Sequence, residues 1–75
     1  MSEIKVKSLY KALQILDCFT TDKPELGITE ISTQLGLYKS NVFNIVDTFV
    51  KAGYLEKNPE NDKYRLGIKF LEKAN

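Results

Sequence analysis

Four hydrogen-bonding side chains lie close together in the middle of the chain: Lys39, Ser40, Asn41 and Asn44. An asparagine amide can pair with both N6 and N7 of adenine, and a lysine can bind guanine or a phosphate. A serine hydroxyl beside the backbone amides of a helix start suits a phosphate oxygen. We call these four residues the polar cluster. Taken alone, they fit either a nucleic-acid contact or an ordinary solvated surface with capping residues.

The composition excludes most catalytic chemistry. The chain has 75 residues, no histidine and a single cysteine, Cys18. These counts rule out a Ser-His-Asp triad, a Cys-His pair, a zinc site built from His and Cys, and an intrachain disulfide. No apolar run approaches the roughly 20 residues of a membrane span, and no signal-peptide core follows Met1. We therefore expect a cytoplasmic, non-enzymatic protein that uses no metal or other cofactor.

Length and charge indicate one small domain over residues 1–75. The apolar fraction of 43% is ordinary for a globular chain and too high for a disordered one. Eleven Lys and Arg residues face ten Asp and Glu residues, which leaves a net charge of +1. Because many nucleic-acid-binding domains are strongly basic, the charge by itself does not indicate that function.

The first predicted helix covers about residues 8–19, with Ser8 as its N-cap. Its expected core face carries apolar side chains at helical spacing: Leu9, Ala12, Leu13 and Leu16, with Phe19 at the edge. Ile15 and Cys18 lie off this stripe. A second apolar strip on a small domain suggests a partner surface. We therefore assign Ile15 and Cys18 to a dimer interface, together with Ile68 and Leu71 near the end of the chain.

Two more helices position the polar cluster. The second helix is predicted at about 29–35, with Thr29 as its N-cap and Gly36 at its C-terminal end. The third is predicted at about 39–52 and begins with the polar cluster. Its core face repeats at helical spacing through Val42, Ile45, Val46, Phe49 and Val50.

The last part of the chain changes period. Residues 54–57 and 63–66 are strand candidates, and the segment between them is dense in turn residues, which predicts a hairpin over about 54–66. Residues 68–75 then suggest the start of a final helix. This order, mainly α with a small β-hairpin, is that of a winged helix-turn-helix. In that fold the second helix of the motif enters the DNA major groove.

The chain also resembles the DNA-binding domain of the isocitrate lyase regulator (IclR) family of bacterial transcription factors, over residues 9–71. The matching segments are KALQIL at 11–16, ITEI at 28–31, GLYKSNV at 36–42, GYLE at 53–56 and YRLG at 64–67. The sequence differs from the family pattern at Tyr38, where proline is usual, and at Phe43-Asn44, where a basic or imidazole pair is common.

The resemblance implies a repressor or activator that acts as a homodimer or tetramer on a double-stranded DNA operator. In the family a linker helix leads to a C-terminal domain that binds a small-molecule effector. The sequence stops within the expected linker helix, so we expect it to be the DNA-reading part of a longer regulator.

Five residues outside the polar cluster complete the candidate DNA contacts, each with an alternative. Thr29 either binds a phosphate or serves only as a cap, and Tyr38 either binds a phosphate or packs over the turn. Phe43 either lies at the edge of the core or contacts a thymine methyl group. Lys63 and Arg65 either place the hairpin on the DNA backbone or are ordinary exposed strand charges.

Two functions remain in competition. The first is sequence-specific binding of double-stranded DNA as a dimer, with the third helix in the major groove and the hairpin on the flanking backbone or minor groove. The second is a winged-helix protein-interaction module that does not bind DNA, because the fold alone does not decide function. The near-neutral charge favours the second function slightly, whereas the polar cluster favours the first.

Overall fold

The computed structural model describes residues 3–74. Its elements are α1 (Lys7–Asp17), β1 (Glu25–Leu26), α2 (Ile28–Leu35), α3 (Lys39–Ala52), β2 (Leu55–Lys57), β3 (Tyr64–Leu66) and α4 (Ile68–Ala74). Four helices and a small antiparallel sheet form a winged helix-turn-helix, as the order of sequence patterns predicted. The last residue of the predicted final helix, Asn75, lies outside the described residues.

The first helix packs only part of the predicted face into the core, Leu16 and Phe19, together with Ile15 and Cys18 from off the predicted stripe. Ile15 is 0% exposed and Cys18 is 5% exposed, whereas Leu9 and Leu13 are 56% and 49% exposed. Both apolar stripes fit a helical period, so spacing alone could not choose between them. The buried ring of Phe19, just beyond the helix, packs in the same core as Ile15 and Cys18. The assignment of Ile15 and Cys18 to a dimer interface was therefore wrong, because both side chains fill the core.

The helix starts also differ from the predicted ones. Val6 precedes α1 and makes no side-chain capping bond, so Ser8 is not the N-cap and the helix begins at Lys7. Gly27, and not Thr29, is the N-cap of α2. The Gly27 N–H donates to the Glu30 carboxylate at 2.9 Å, which satisfies an amide that a helix start would leave unpaired.

The turn before α3 is held by one residue, Ser32, through both its backbone carbonyl and its hydroxyl group. Gly36 ends α2 at φ 67°, in the left-handed region that favours glycine. The Ser32 carbonyl accepts the N–H groups of Gly36 and Leu37 at 2.9 and 3.1 Å. The Ser32 hydroxyl donates to the Leu37 carbonyl at 2.5 Å. These bonds fix the direction in which the chain enters α3.

The third helix has the predicted bounds and the predicted inward face. Val42 and Val46 are buried, and the helix ends at Gly53, whose φ is 90°. The Tyr54 N–H donates to the Phe49 carbonyl at 2.9 Å, which is the Schellman pattern of a helix that ends in a left-handed glycine.

The sheet has three strands in the order β1-β3-β2, all antiparallel. In the two-residue strand β1, Glu25 pairs with Arg65 and Leu26 pairs with Tyr64. We call residues 54–66 the wing, and residues 58–63 between its strands the wing loop. Strand β1, which directly precedes α2, therefore forms one sheet with the two strands of the wing.

The helices and the sheet share one apolar core. Its buried members are Ile15, Cys18, Phe19, Leu26, Ile31, Val42, Val46, Leu55 and Tyr64. Within residues 3–74, no helix is both long enough and apolar enough to cross a membrane.

Candidate nucleic-acid interface

The polar cluster lies on the solvent side at the start of α3. All four of its side chains are exposed. The first turn of α3 carries no acidic residue, and its N-cap, Tyr38, makes no side-chain capping bond. The first intrahelical bond runs from the Val42 N–H to the Tyr38 carbonyl at 3.1 Å. The amides of the first turn therefore point out of the helix end, where the helix dipole favours an anion.

Two aromatic side chains stand beside the cluster. Tyr38 is 81% exposed, so its ring does not pack over the turn. Phe43 is 48% exposed and lies outside the buried core. Thr29, the candidate on α2, is also exposed, in the first turn of that helix. The fold thus leaves these three candidates open to solvent.

The C-terminal half of α3 carries an ion pair whose two charges cancel. Lys51 Nζ lies 2.9 Å from Asp47 Oδ2, one helical turn away. Among the ion pairs of residues 3–74, none involves Lys39. The positive charge of the exposed α3 surface is therefore concentrated at the end that carries the polar cluster.

The cations of the wing are all paired with carboxylates. Lys57 lies 3.7 Å from Asp62, and Lys63 lies 3.3 Å from Glu30 on α2. Arg65 has two carboxylate partners, Glu56 at 3.2 Å and Glu25 at 3.4 Å. The structure thus brings Lys63 and Arg65 to the wing as predicted, but each of these charges is already balanced within the chain.

Glu25 contacts several residues of the wing, although no pattern in the sequence singled it out. Its carboxylate accepts hydrogen bonds from the amide groups of Asn58 at 3.2 Å and Asn61 at 3.0 Å, besides facing Arg65. These hydrogen bonds, with the Arg65 charge, hold the pKa of Glu25 below its ordinary value. The sequence showed an isolated glutamate 33 residues from its first partner, so no local pattern could have revealed the contact.

Glu30 and Cys18 also have perturbed pKa values, for different reasons. The pKa of Glu30 is lowered, first by the Gly27 N–H and then by Lys63. Burial, with a smaller contribution from Asp17, raises the pKa of the Cys18 thiol. That thiol faces the Gln14 carbonyl at 3.4 Å. Cys18 is therefore an apolar filler and not a reactive thiolate at neutral pH.

The sequence model of one protein family, the IclR helix-turn-helix domain, matches residues 8–59 of the chain. The chain belongs to this family. The HTH-type transcriptional regulator XynR of Escherichia coli (strain K12) is 46% identical over 69 residues, which cover 92% of this chain and 27% of that protein. The relatives are transcriptional regulators and not enzymes, as expected from the missing catalytic residues.

Solved structures of the family have the same fold. An IclR family transcriptional regulator from Brucella abortus matches with a TM-score of 0.87 at 33% identity, over 99% of this chain and 29% of that one. An IclR homologue from Microbacterium hydrocarbonoxydans, complexed with 4-hydroxybenzoate, matches with a TM-score of 0.81 at 28% identity, over 89% of this chain and 28% of that one. The chain thus spans less than a third of the length of these relatives.

Proposed function

We propose that the chain binds double-stranded DNA sequence-specifically, as the DNA-reading part of an IclR-type transcriptional regulator. In this proposal α3 lies in the major groove and the wing lies on the flanking backbone or minor groove. The observation that carries the proposal is the exposed polar cluster, at a helix start without acidic residues. The regulatory role of the relatives favours this function over a protein-interaction module.

The proposed contacts follow from side-chain chemistry. Asn41 and Asn44 pair with adenine, and Lys39 binds guanine or a phosphate. Phe43 packs against a thymine methyl group. Hydroxyl groups bind the phosphates, from Ser40, Thr29 and Tyr38. Lys63 and Arg65 stay in their ion pairs and place the wing against the DNA backbone.

The central test is selection from randomised duplexes, followed by titration of the selected site over a range of salt concentrations. We expect Asn44→Ala to weaken binding to the selected site by about 1–3 kcal/mol and to relax the preference at one base pair. Gln34→Ala is the matched control. Its side chain is also an exposed amide, but it lines a groove formed with residues of α1 and does not belong to the polar cluster. Equal affinity of the unaltered chain for selected and random duplexes would refute sequence-specific binding.

We further propose that the chain binds its operator as a homodimer. The apolar strip available for this contact comprises Ile4, Val6, Leu9, Tyr10 and Leu13, all exposed on α1 and the segment before it. Ile68 and Leu71 on α4, assigned to the interface from the sequence, are exposed as well. A two-fold pair of helix-turn-helix units would read two half-sites about one helical turn apart.

Sedimentation tests the dimer. We expect the chain to self-associate at high concentration, and Leu13→Asp to weaken association with little change in the unfolding midpoint, because the side chain lies outside the core. Ser8→Asp adds the same charge to α1 outside the strip and is the control. A strict monomer at high concentration would contradict the dimer proposal.

Two further partners, a small-molecule effector and the other subunits of a tetramer, are proposed for a longer protein that includes this chain. We propose that the chain acts within a regulator whose further domain binds a small-molecule effector and supports a tetramer. The relative complexed with 4-hydroxybenzoate makes small organic acids the first compounds to test. Thermal-shift measurements on the longer protein would identify binders.

A further inference from the structure

The wing loop is folded by its own two asparagines. The Asn58 side-chain oxygen accepts the Glu60 N–H at 3.0 Å, and the Asn61 side-chain oxygen accepts the Lys63 N–H at 2.9 Å. The Asn58 N–H also donates to the Lys63 carbonyl at 2.7 Å. Asp62 adopts φ 58°, a left-handed conformation that is uncommon outside glycine. The loop conformation therefore depends on which way the two asparagine amides point.

One carboxylate determines that orientation. Glu25 accepts the amide N–H of Asn61 on Oε1 and that of Asn58 on Oε2. A carboxylate has only acceptors, so each asparagine must turn its nitrogen toward Glu25 and its oxygen toward the loop backbone. The Glu25 side chain is 29% exposed, the least of the carboxylates that form ion pairs in residues 3–74.

We propose that Glu25 is a positioning residue for DNA recognition: it holds the wing loop in the one conformation with which the wing meets DNA. The inference rests on the proposed function, since it assigns a role within DNA binding. Its physical basis is preorganisation, because a loop ordered before binding does not lose conformational entropy on binding. Glu25 itself, as an anion, acts through the asparagines and not by touching a phosphate.

The decisive variant keeps the shape of Glu25 and changes its hydrogen-bonding pattern. In Glu25→Gln, one of the two oxygens becomes an N–H donor and faces an asparagine N–H donor, so one of the two bonds is lost. Adding Asn61→Asp supplies an acceptor at that position while the aspartate can still accept the Lys63 N–H. The double variant has the net charge of the unaltered chain, because one negative charge moves from residue 25 to residue 61.

The control removes a wing charge without touching this network. Glu60 is exposed, and within residues 3–74 its hydrogen bond is made by its backbone N–H to the Asn58 side-chain oxygen, which a change of side chain leaves in place. Glu60→Gln therefore loses the same charge as Glu25→Gln. If Glu25 acted only as a negative charge near DNA, both variants would bind DNA more tightly.

The test combines amide hydrogen exchange of Asn58 and residues 60–63 in the free chain with titration of two duplexes. One duplex carries the selected site with flanking base pairs, and the other is trimmed to the base pairs under α3. For Glu25→Gln we expect faster exchange and roughly 2- to 10-fold weaker binding to the long duplex, with no change on the trimmed one. The double variant should restore both values, and Glu60→Gln should exchange as the unaltered chain does.

Two results would overturn the proposal: unchanged exchange in Glu25→Gln, or binding by Glu25→Gln that matches Glu60→Gln. Failure to restore the loop in the double variant would also count against it, because the donor and acceptor pattern would then not be the cause. If the unaltered chain binds neither duplex, the proposed function fails. The exchange measurement still decides separately whether Glu25 holds the loop.

Discussion

The start of α3 and the wing are both candidate DNA contacts, but they are built in opposite ways. At the start of α3, the polar cluster is exposed, and Lys39 has no ion-pair partner within residues 3–74. In the wing, Lys57, Lys63 and Arg65 each have a carboxylate within 3.7 Å. The first surface offers unbalanced charge and open donors, whereas the second offers a defined shape.

This difference explains how a chain with a net charge of +1 can be expected to bind DNA. Counterion release depends on the number of phosphates neutralised, so a cation already paired within the protein contributes less. We therefore expect α3 to supply most of the electrostatic attraction. The wing would contribute through its position, which depends on a close backbone approach at its root and on Glu25.

The largest predicted effect concerns the root of the wing. A Cβ on Gly67 would lie 2.6 Å from the Gly53 carbonyl oxygen and 3.0 Å from the Tyr54 carbonyl carbon, both backbone atoms. We expect Gly67→Ala to lower the free energy of unfolding by about 1–3 kcal/mol, as other overpacked sites do. Urea denaturation measures this change.

Gly27→Ser is the matched control for the wing root, because it also adds a Cβ while serine remains a favourable N-cap residue for α2. Gly27 has an ordinary φ of −92°, and its Cβ would meet only Glu30 Oε1, at 3.6 Å. If the two substitutions cost the same, close packing at the root does not hold the wing in place.

The next prediction compares the two kinds of cation directly. Lys39→Gln removes an unpaired charge, and we expect the slope of log K against log salt to become shallower by about one unit. The double variant Glu30→Gln/Lys63→Gln removes a neutral pair and keeps an oxygen for the Gly27 N–H. We expect its slope to stay close to that of the unaltered chain. A shift of equal size in both would mean that the wing pair opens on DNA.

The smallest predicted effect is the response of the free chain to acid. The folded-state pKa values of Glu25 and Glu30 are lowered, so their stabilisation is fully present above the ordinary glutamate pKa, about 4.3. It is lost as the pH falls through the lowered values, because the unfolded chain binds protons first. Urea midpoints between pH 7 and pH 3 should therefore fall less steeply in Glu25→Gln. A slope identical to that of the unaltered chain would contradict this assignment.

Much of the framework could be predicted because it depends on local patterns. The bounds of α3, its buried valines and the glycine that ends it all follow from a helical period and one left-handed residue. The hairpin follows from a dense run of turn residues between two short strands. The face of α1 could not be predicted in full, since Leu9 and Leu13 are four residues apart and Ile15 and Cys18 are three apart, and both spacings fit a helical stripe.

The sequence by itself determined the order of elements, the winged helix-turn-helix class and the placement of the polar cluster at a helix start, because these depend on residues close together in the chain. Only the tertiary structure decided which face of α1 is core, that β1 joins the wing, and that the wing cations are paired. Those features join residues as far apart as Glu25 and Arg65, and contacts across such distances leave no periodic signal in one sequence.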